Sequence, residues 1–281
     1  MNGLAPLGDA AAWNLEPLQV APAALAALLY ARRATTLARR GRPVPVARQI
    51  WFGTGLALLA VAIATPIDTI GEERLFWVHM VQHLLIGDLA AFCIVKGLTG
   101  PLLRPLLALP AIGRLRALAH PLVALPLWAV NLYVWHLPAL YEAALRHGGL
   151  HALEHGMFFA TGALMWAAVI EPLPGVRWFG TGWKAAYVLA VRIVGAGLAN
   201  VFIWSDQPLY SWYGTDLSDQ MTGGLIMFTE GGIVTLLAFA WLFLGWMKEE
   251  EPTRERRGPP PRRPPARARS ARSPGAPGKS A

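Results

Sequence analysis

Apolar stretches of near-spanning length recur from one end of this chain to the other, and that repetition excludes an ordinary soluble core. A helix needs about 17–25 mostly apolar residues to cross a bilayer's hydrocarbon. Seven stretches approach that length: residues 15–31, 47–65, 75–95, 120–136, 150–170, 184–204 and 222–246. Charged residues are 15% of the 281, well under the roughly 25% of soluble domains. The fold expected is all-α, a polytopic membrane helix bundle of about seven transmembrane helices. It occupies residues 1–247, and 248–281 form a separate basic tail.

Positive charge orients the bundle. Arg32, Arg33, Arg39, Arg40, Arg42 and Arg48 follow the first stretch, and Lys96, Arg104, Arg114 and Arg116 follow the third. The fifth is followed by Arg177 and Lys184, and the tail after Trp246 holds ten of the 25 Lys and Arg. The alternate connections carry Arg74, Arg146 and no basic residue. Lys and Arg accumulate on the cytoplasmic side, so the expected N-terminus is outside and the C-terminus cytoplasmic. The net charge of +8 therefore reflects topology, and no nucleic-acid partner is expected. The Pro- and Arg-rich tail is expected to be disordered, serving as a topology anchor or touching anionic lipid of the bilayer. Cys93 is the only cysteine, which excludes an internal disulfide and a CxxC redox pair. No positively charged n-region precedes an apolar run at the start, so no cleavable signal is expected.

Six of the seven histidines fall at one side under this topology. His79 and His83 in HMVQH share a helix face, as do His151 and His155 in HALEH. Such pairs can share a metal ion or bond to neighbouring backbone. His136 ends the fourth stretch at similar depth, and His147 precedes Gly148-Gly149, which are expected to break the helix. Glu142 and Glu154 are nearby carboxylates. Met221 opens the seventh stretch, with Met227 further down. Imidazole with thioether suits copper, especially Cu(I); zinc held by three histidines and a water is also compatible. A haem would need His79 opposed to His136 or His155. Trp128, Tyr133 and Trp135 fit an interfacial aromatic belt.

A second polar set lies mid-span: Asp88, Arg192 and Glu230. Unpaired charge is costly there, so Arg192 is expected to pair with Asp88, Glu230 or both, as a clamp between helices or along a proton or ion path. Asn131 and Asn200 are expected to hydrogen-bond between helices.

Several segments resemble one family, the caa3-type cytochrome c oxidase assembly factors called CtaG in Gram-positive bacteria. They are WNLEP at 13–17, the stretch 55–68, HMVQHLL at 79–85, LTGP at 98–101, WHLPALYEAAL at 135–145, HALEHGMFFATGALMW at 151–166 and LSDQMTGGLIM at 217–227. The motif residues mapping here are His79, Gln82, His83, His136, His151, His155, Asp219 and Gln220. The resemblance implies a multi-pass protein of the bacterial cytoplasmic membrane that helps build a haem-copper oxidase, with oxidase subunits as partners and copper as the ion handled. Members often have an apolar, proline-containing stretch after HMxQH. Here IGDLAAFCIVKG includes Asp88, so the mid-span charges are not transferred from the family.

The leading expectation is an assembly factor delivering copper at the outer face. The alternatives are a copper transporter across the membrane and a haem-binding membrane protein. An enzyme is not expected, because Ser205, Ser211 and Ser218 have no nucleophile signature around them. A retinal protein would need a lysine in the seventh stretch, which has none.

Overall fold

The computed structural model describes residues 13, 15–110 and 116–257, and among these every regular element is helical. The longer elements are α1 Pro17–Arg39, α2 Val46–Ala64, α3 Pro66–Glu73, α4 Phe76–Gly97 and α5 Gly100–Leu107. They continue as α6 Pro121–Trp135, α7 Pro138–Arg146, α8 Gly148–Ile170, α9 Thr181–Trp204 and α10 Leu217–Arg257. Each expected stretch is a helix whose start lies within a few residues of the boundary read from hydropathy.

Among the described residues five helices (α2, α4, α8, α9 and α10) are long and apolar enough to cross a membrane, and the α6–α7 pair, bent by 73°, makes a sixth if it is one span. The bend falls at His136-Leu137, just before Pro138, whose ring disfavours helical backbone in the preceding residue. The first expected span exists as the 23-residue α1. It lies outside that apolar set, and Gln19, Arg32 and Arg33 fall within it. The helix α10 runs on to Arg257, ten residues into the stretch expected as disordered tail, while residues 258–281 lie outside the described residues. The chain divides into two compact units, 1–242 and 243–281. The first contains α1–α9 and α10 up to Leu242; the described part of the second is the rest of α10.

The core helix is α4, with 67% of its apolar window buried against 17% for α10. Leu85–Ala90 within it is a π-helical turn. Such turns insert an extra residue into an α-helix and are frequent at functional sites. Against this turn packs α8: a Cβ on Gly162 would collide with the Gly87 carbonyl oxygen. Small residues let membrane helices approach closely where dispersion supplies the attraction. That contact brings the two HxxxH segments together.

Candidate metal centre

The spacing of four in HMVQH puts His79 and His83 on one face of α4, and HALEH does the same for His151 and His155 on α8. Because the helices cross closely, ligand nitrogens of all four histidines lie within 4.8 Å of one another, and all four are buried. His79 Nε2 and His83 Nε2 are 2.8 Å apart. A neutral pair at that distance shares one N–H proton; an ion bound between them would replace it.

Other helices orient the rings. His155 Nδ1 donates to Gln19 Oε1 of α1 at 2.8 Å, leaving its Nε2 buried without a partner. A hydrogen bond at one ring nitrogen fixes which nitrogen is free to ligate. His151 Nδ1 contacts Glu72 Oε1 of α3. Gly71 lets α3 sit this close, since a Cβ there would lie 3.0 Å from the His79 backbone. Tyr213, in the Ser211–Tyr213 turn, donates its hydroxyl to Gly71 O at 2.7 Å, and His79 Nδ1 lies 3.4 Å from the Tyr213 hydroxyl oxygen. Burial pushes the Tyr213 phenol above its ordinary range, so it stays a neutral donor.

Carboxylates complete the shell. Glu154 is buried, its Oε1 is 3.7 Å from His83 Nε2, and neither of its oxygens has a hydrogen-bond partner. Asp68, Glu72 and His151 form a second set with one ligand atom each within 4.8 Å. Gln82 Nε2 donates to Asp68 Oδ1 and to Ala62 O. Sequence reasoning passed over Gln19, Asp68 and Glu72, and treated Glu154 only as a nearby carboxylate. For Glu154 the signal was present: in HALEH it is one residue from His155 and three from His151.

The remaining expected site residues are placed as follows. His136 donates Nδ1 to Leu132 O at 2.7 Å, and its buried Nε2 has no partner. Its ring centroid lies 6.1 Å from that of His83, beside the four-histidine set. Met221 is 43% exposed, which puts its thioether outside this buried centre, because Asp219 and Gln220 occupy the buried side of α10. Those two bind backbone instead: Asp219 accepts from the amides of Phe76 and Trp77, and Gln220 Oε1 accepts from Leu209 N at 2.7 Å. His147 is exposed, and the helix break falls at His147, with Gly148-Gly149 beginning α8. Trp135 is buried in the core, which corrects its place in an interfacial belt.

Arg192 lines one cavity with Asp88 and Glu230 without a direct salt bridge to either. Among the described residues Arg192 forms no ion pair; its guanidinium lies 4.1 Å from the Phe228 ring centroid. Asp88, in the π segment, accepts from Trp166 Nε1 at 2.7 Å and lines the same cavity as Glu230. Asn200 bonds within its own helix, to Ala196 O, and both side-chain polar atoms of Asn131 lack a partner. A cavity of about 100 Å³ is lined by His83, His136, Asp88, Arg192 and Glu230.

Fold and site together define a polytopic helical membrane protein with a buried imidazole and carboxylate centre. Residues 28–249 match the family model of the cytochrome c oxidase caa3 assembly factor, Caa3_CtaG, and the chain belongs to that family. It is 24% identical over 265 residues to a protein of Mycobacterium bovis and to one of Mycobacterium tuberculosis, and 22% identical to one of Mycobacterium leprae. All three carry names that call them uncharacterized. Each alignment covers 85% of this chain and 40% of the relative, so the chain spans about two fifths of the length of these relatives. No solved structure matches the chain.

Proposed function

We propose that this protein is a non-enzymatic assembly factor that holds a copper ion in the four-histidine centre and passes it to a subunit of a haem-copper oxidase. The observation that carries the reading is the convergence of His79, His83, His151 and His155, all buried, with their ligand nitrogens within 4.8 Å. Four imidazoles suit copper of either oxidation state, and zinc less selectively. Family membership supports an oxidase as the client. The close packing of the rings favours an ion over a haem, since His79 Nε2 and His83 Nε2 are 2.8 Å apart and the ligand nitrogens of all four histidines lie within 4.8 Å, which leaves no room for a macrocycle between them. Counting α1 as a seventh crossing, the basic connections put the histidine-bearing end outside a bacterial cytoplasmic membrane. Copper centres of secreted oxidase domains would be reached from there.

The test is metal analysis of detergent-purified protein after copper loading, wild type beside His79→Ala/His83→Ala. Copper retained by the wild type and lost from the variant is the expected result. Equal, negligible copper in both would sink copper handling and leave a scaffold role.

One observation favours a second reading, transport across the membrane. The cavity beside His83 and His136 also touches Asp88, Arg192 and Glu230, so ionisable groups lie along its otherwise apolar wall. Transport predicts that removing the protein changes cell copper in a strain that has no haem-copper oxidase.

A further inference from the structure

The set Asp68, Glu72 and His151 differs in chemistry and exposure from the four histidines it adjoins. Asp68 and Glu72 are four residues apart on α3 and so share a face. Exposure across the set is graded. The Glu72 side chain is 25% exposed and that of His151 1%, and Asp68 is wholly buried. Glu72 is thus the member that meets solvent. His151 belongs to both sets: its Nδ1 faces Glu72, while its Nε2 is buried without a hydrogen-bond partner. Nearby, Gln82 Oε1 and both oxygens of Glu154 are also buried and unpartnered. Buried polar atoms without partners are uncommon, and here they belong to residues in or beside the two sets of ligand atoms.

We propose that Asp68, Glu72 and His151 form an acquisition station for a divalent first-row cation of the Cu²⁺ or Zn²⁺ type, from which the ion moves to the four-histidine centre. The proposal rests on the copper-handling reading above and specifies how that centre is loaded. Two carboxylates attract a divalent cation and, with one imidazole, bind it as a mixed oxygen and nitrogen site. The neutral histidine set attracts no cation at a distance. Transfer is ligand exchange without change of oxidation state. Bonds to the Asp68 and Glu72 oxygens break, bonds to nitrogens of His79, His83 and His155 form, and His151 stays bound. As both Nε2 nitrogens become ligands, the proton bridging His79 and His83 passes to Nδ1 of the ring that carried it, so both imidazoles ligate as neutral rings.

The test uses the full chain in detergent, titrated with Cu²⁺ and followed by metal analysis and electron paramagnetic resonance. The variant His79→Ala/His83→Ala/His155→Ala keeps the station. With free Cu²⁺ present it should bind a copper ion, too weakly to survive the desalting that the wild-type centre survives. That ion's spectrum should show nitrogen coupling from one imidazole, and adding Glu72→Gln should abolish the signal. The variant Asp68→Asn/Glu72→Gln keeps all four histidines. It should reach wild-type copper content at equilibrium but load slower by roughly tenfold or more, the scale of electrostatic steering. Glu72→Gln alone, at a part-exposed side chain, guards against a folding defect in the double variant and should slow loading in the same direction. A triple-histidine variant that binds no Cu²⁺, or carboxylate variants that load at the wild-type rate, would overturn the station. Copper bound by the triple variant but by neither the wild-type histidine set nor the carboxylate variants would sink the histidine reading and leave the station standing.

Discussion

Asp219 at the start of α10 caps the helix that begins at Phe76: Asp219 Oδ2 accepts from Phe76 N at 2.9 Å and Oδ1 from Trp77 N at 3.0 Å. Leu75, the residue before α4, offers no side-chain cap. The first amides of a helix have no partner within it, and their dipoles favour a negative group. One carboxylate thus fixes the start of the helix carrying His79 and His83. Asp219→Ala should cost about 1–3 kcal/mol, the range for a hydrogen bond to a charged group or an orphaned buried donor. The readout is a lower melting temperature in detergent, with weaker copper retention at the histidines. Asp219→Asn should recover part of both. An unchanged melting temperature for the alanine variant would show that water caps α4 equally well.

Close approach of α8 to the π turn of α4 is the second requirement. Gly162→Ala would set a methyl group against the Gly87 carbonyl, and over-packing of this kind costs typically about 1–3 kcal/mol. Copper binding should fall with stability, because the displaced helix carries His151 and His155. Gly156 lies on the same helix with open space where a Cβ would go. Gly156→Ala is the matched control, and its melting temperature should hold or rise. Equal melting and copper binding in the two variants would remove the close contact from the argument.

How far the sequence shows this site depends on whether a ligand's neighbours are near in the chain. The HMVQH and HALEH pairs are legible because spacing of four fixes a helix face without tertiary knowledge. Gln19, Asp68 and Glu72 come from α1 and α3, and nothing local marks them as facing α8. Depth was readable for Asp88 and Glu230, direction was not. Asp88 lies in the π turn at Leu85–Ala90 and bonds to Trp166, and hydropathy carries no trace of that turn's extra residue. Met221 follows Gln220 directly, and one helical step of about 100° takes it from the buried side of α10 to the exposed side. A thioether adjacent to motif residues in sequence is therefore remote from the metal centre in space.

Alkaline pH should destabilise the fold through Tyr213. Its phenol is raised by burial, so the folded state holds the proton more tightly than the unfolded chain, whose tyrosines titrate near pH 10. Stability from this linkage is fully present below about pH 10 and is lost as pH rises through the higher folded value. Tyr213→Phe removes the bond to Gly71 O and should cost about 1 kcal/mol near neutrality. The same variant should flatten the alkaline fall in melting temperature. Tyr210 is raised in the same direction, so part of the fall should persist. A parallel fall in wild type and variant would assign the whole alkaline limb to other groups.

Gln19 separates ring orientation from ligand identity. It belongs to α1, it is buried, and its Oε1 accepts the His155 Nδ1 proton at 2.8 Å while its Nε2 donates to Glu16 Oε2 at 3.1 Å. Gln19→Ala leaves all four imidazoles in place but frees His155 to rotate or to carry its proton on the nitrogen meant for the ion. Loss of such a supporting bond typically lowers metal affinity about 10–100-fold. Competition with a chelator of known affinity should show that drop, and Gln19→Glu, which still accepts the proton, should restore most of it. His155→Ala should weaken binding at least as much, with no rescue from position 19. If Gln19→Ala bound copper as tightly as the wild type, His155 would not be a ligand, and the centre would reduce to His79, His83 and His151.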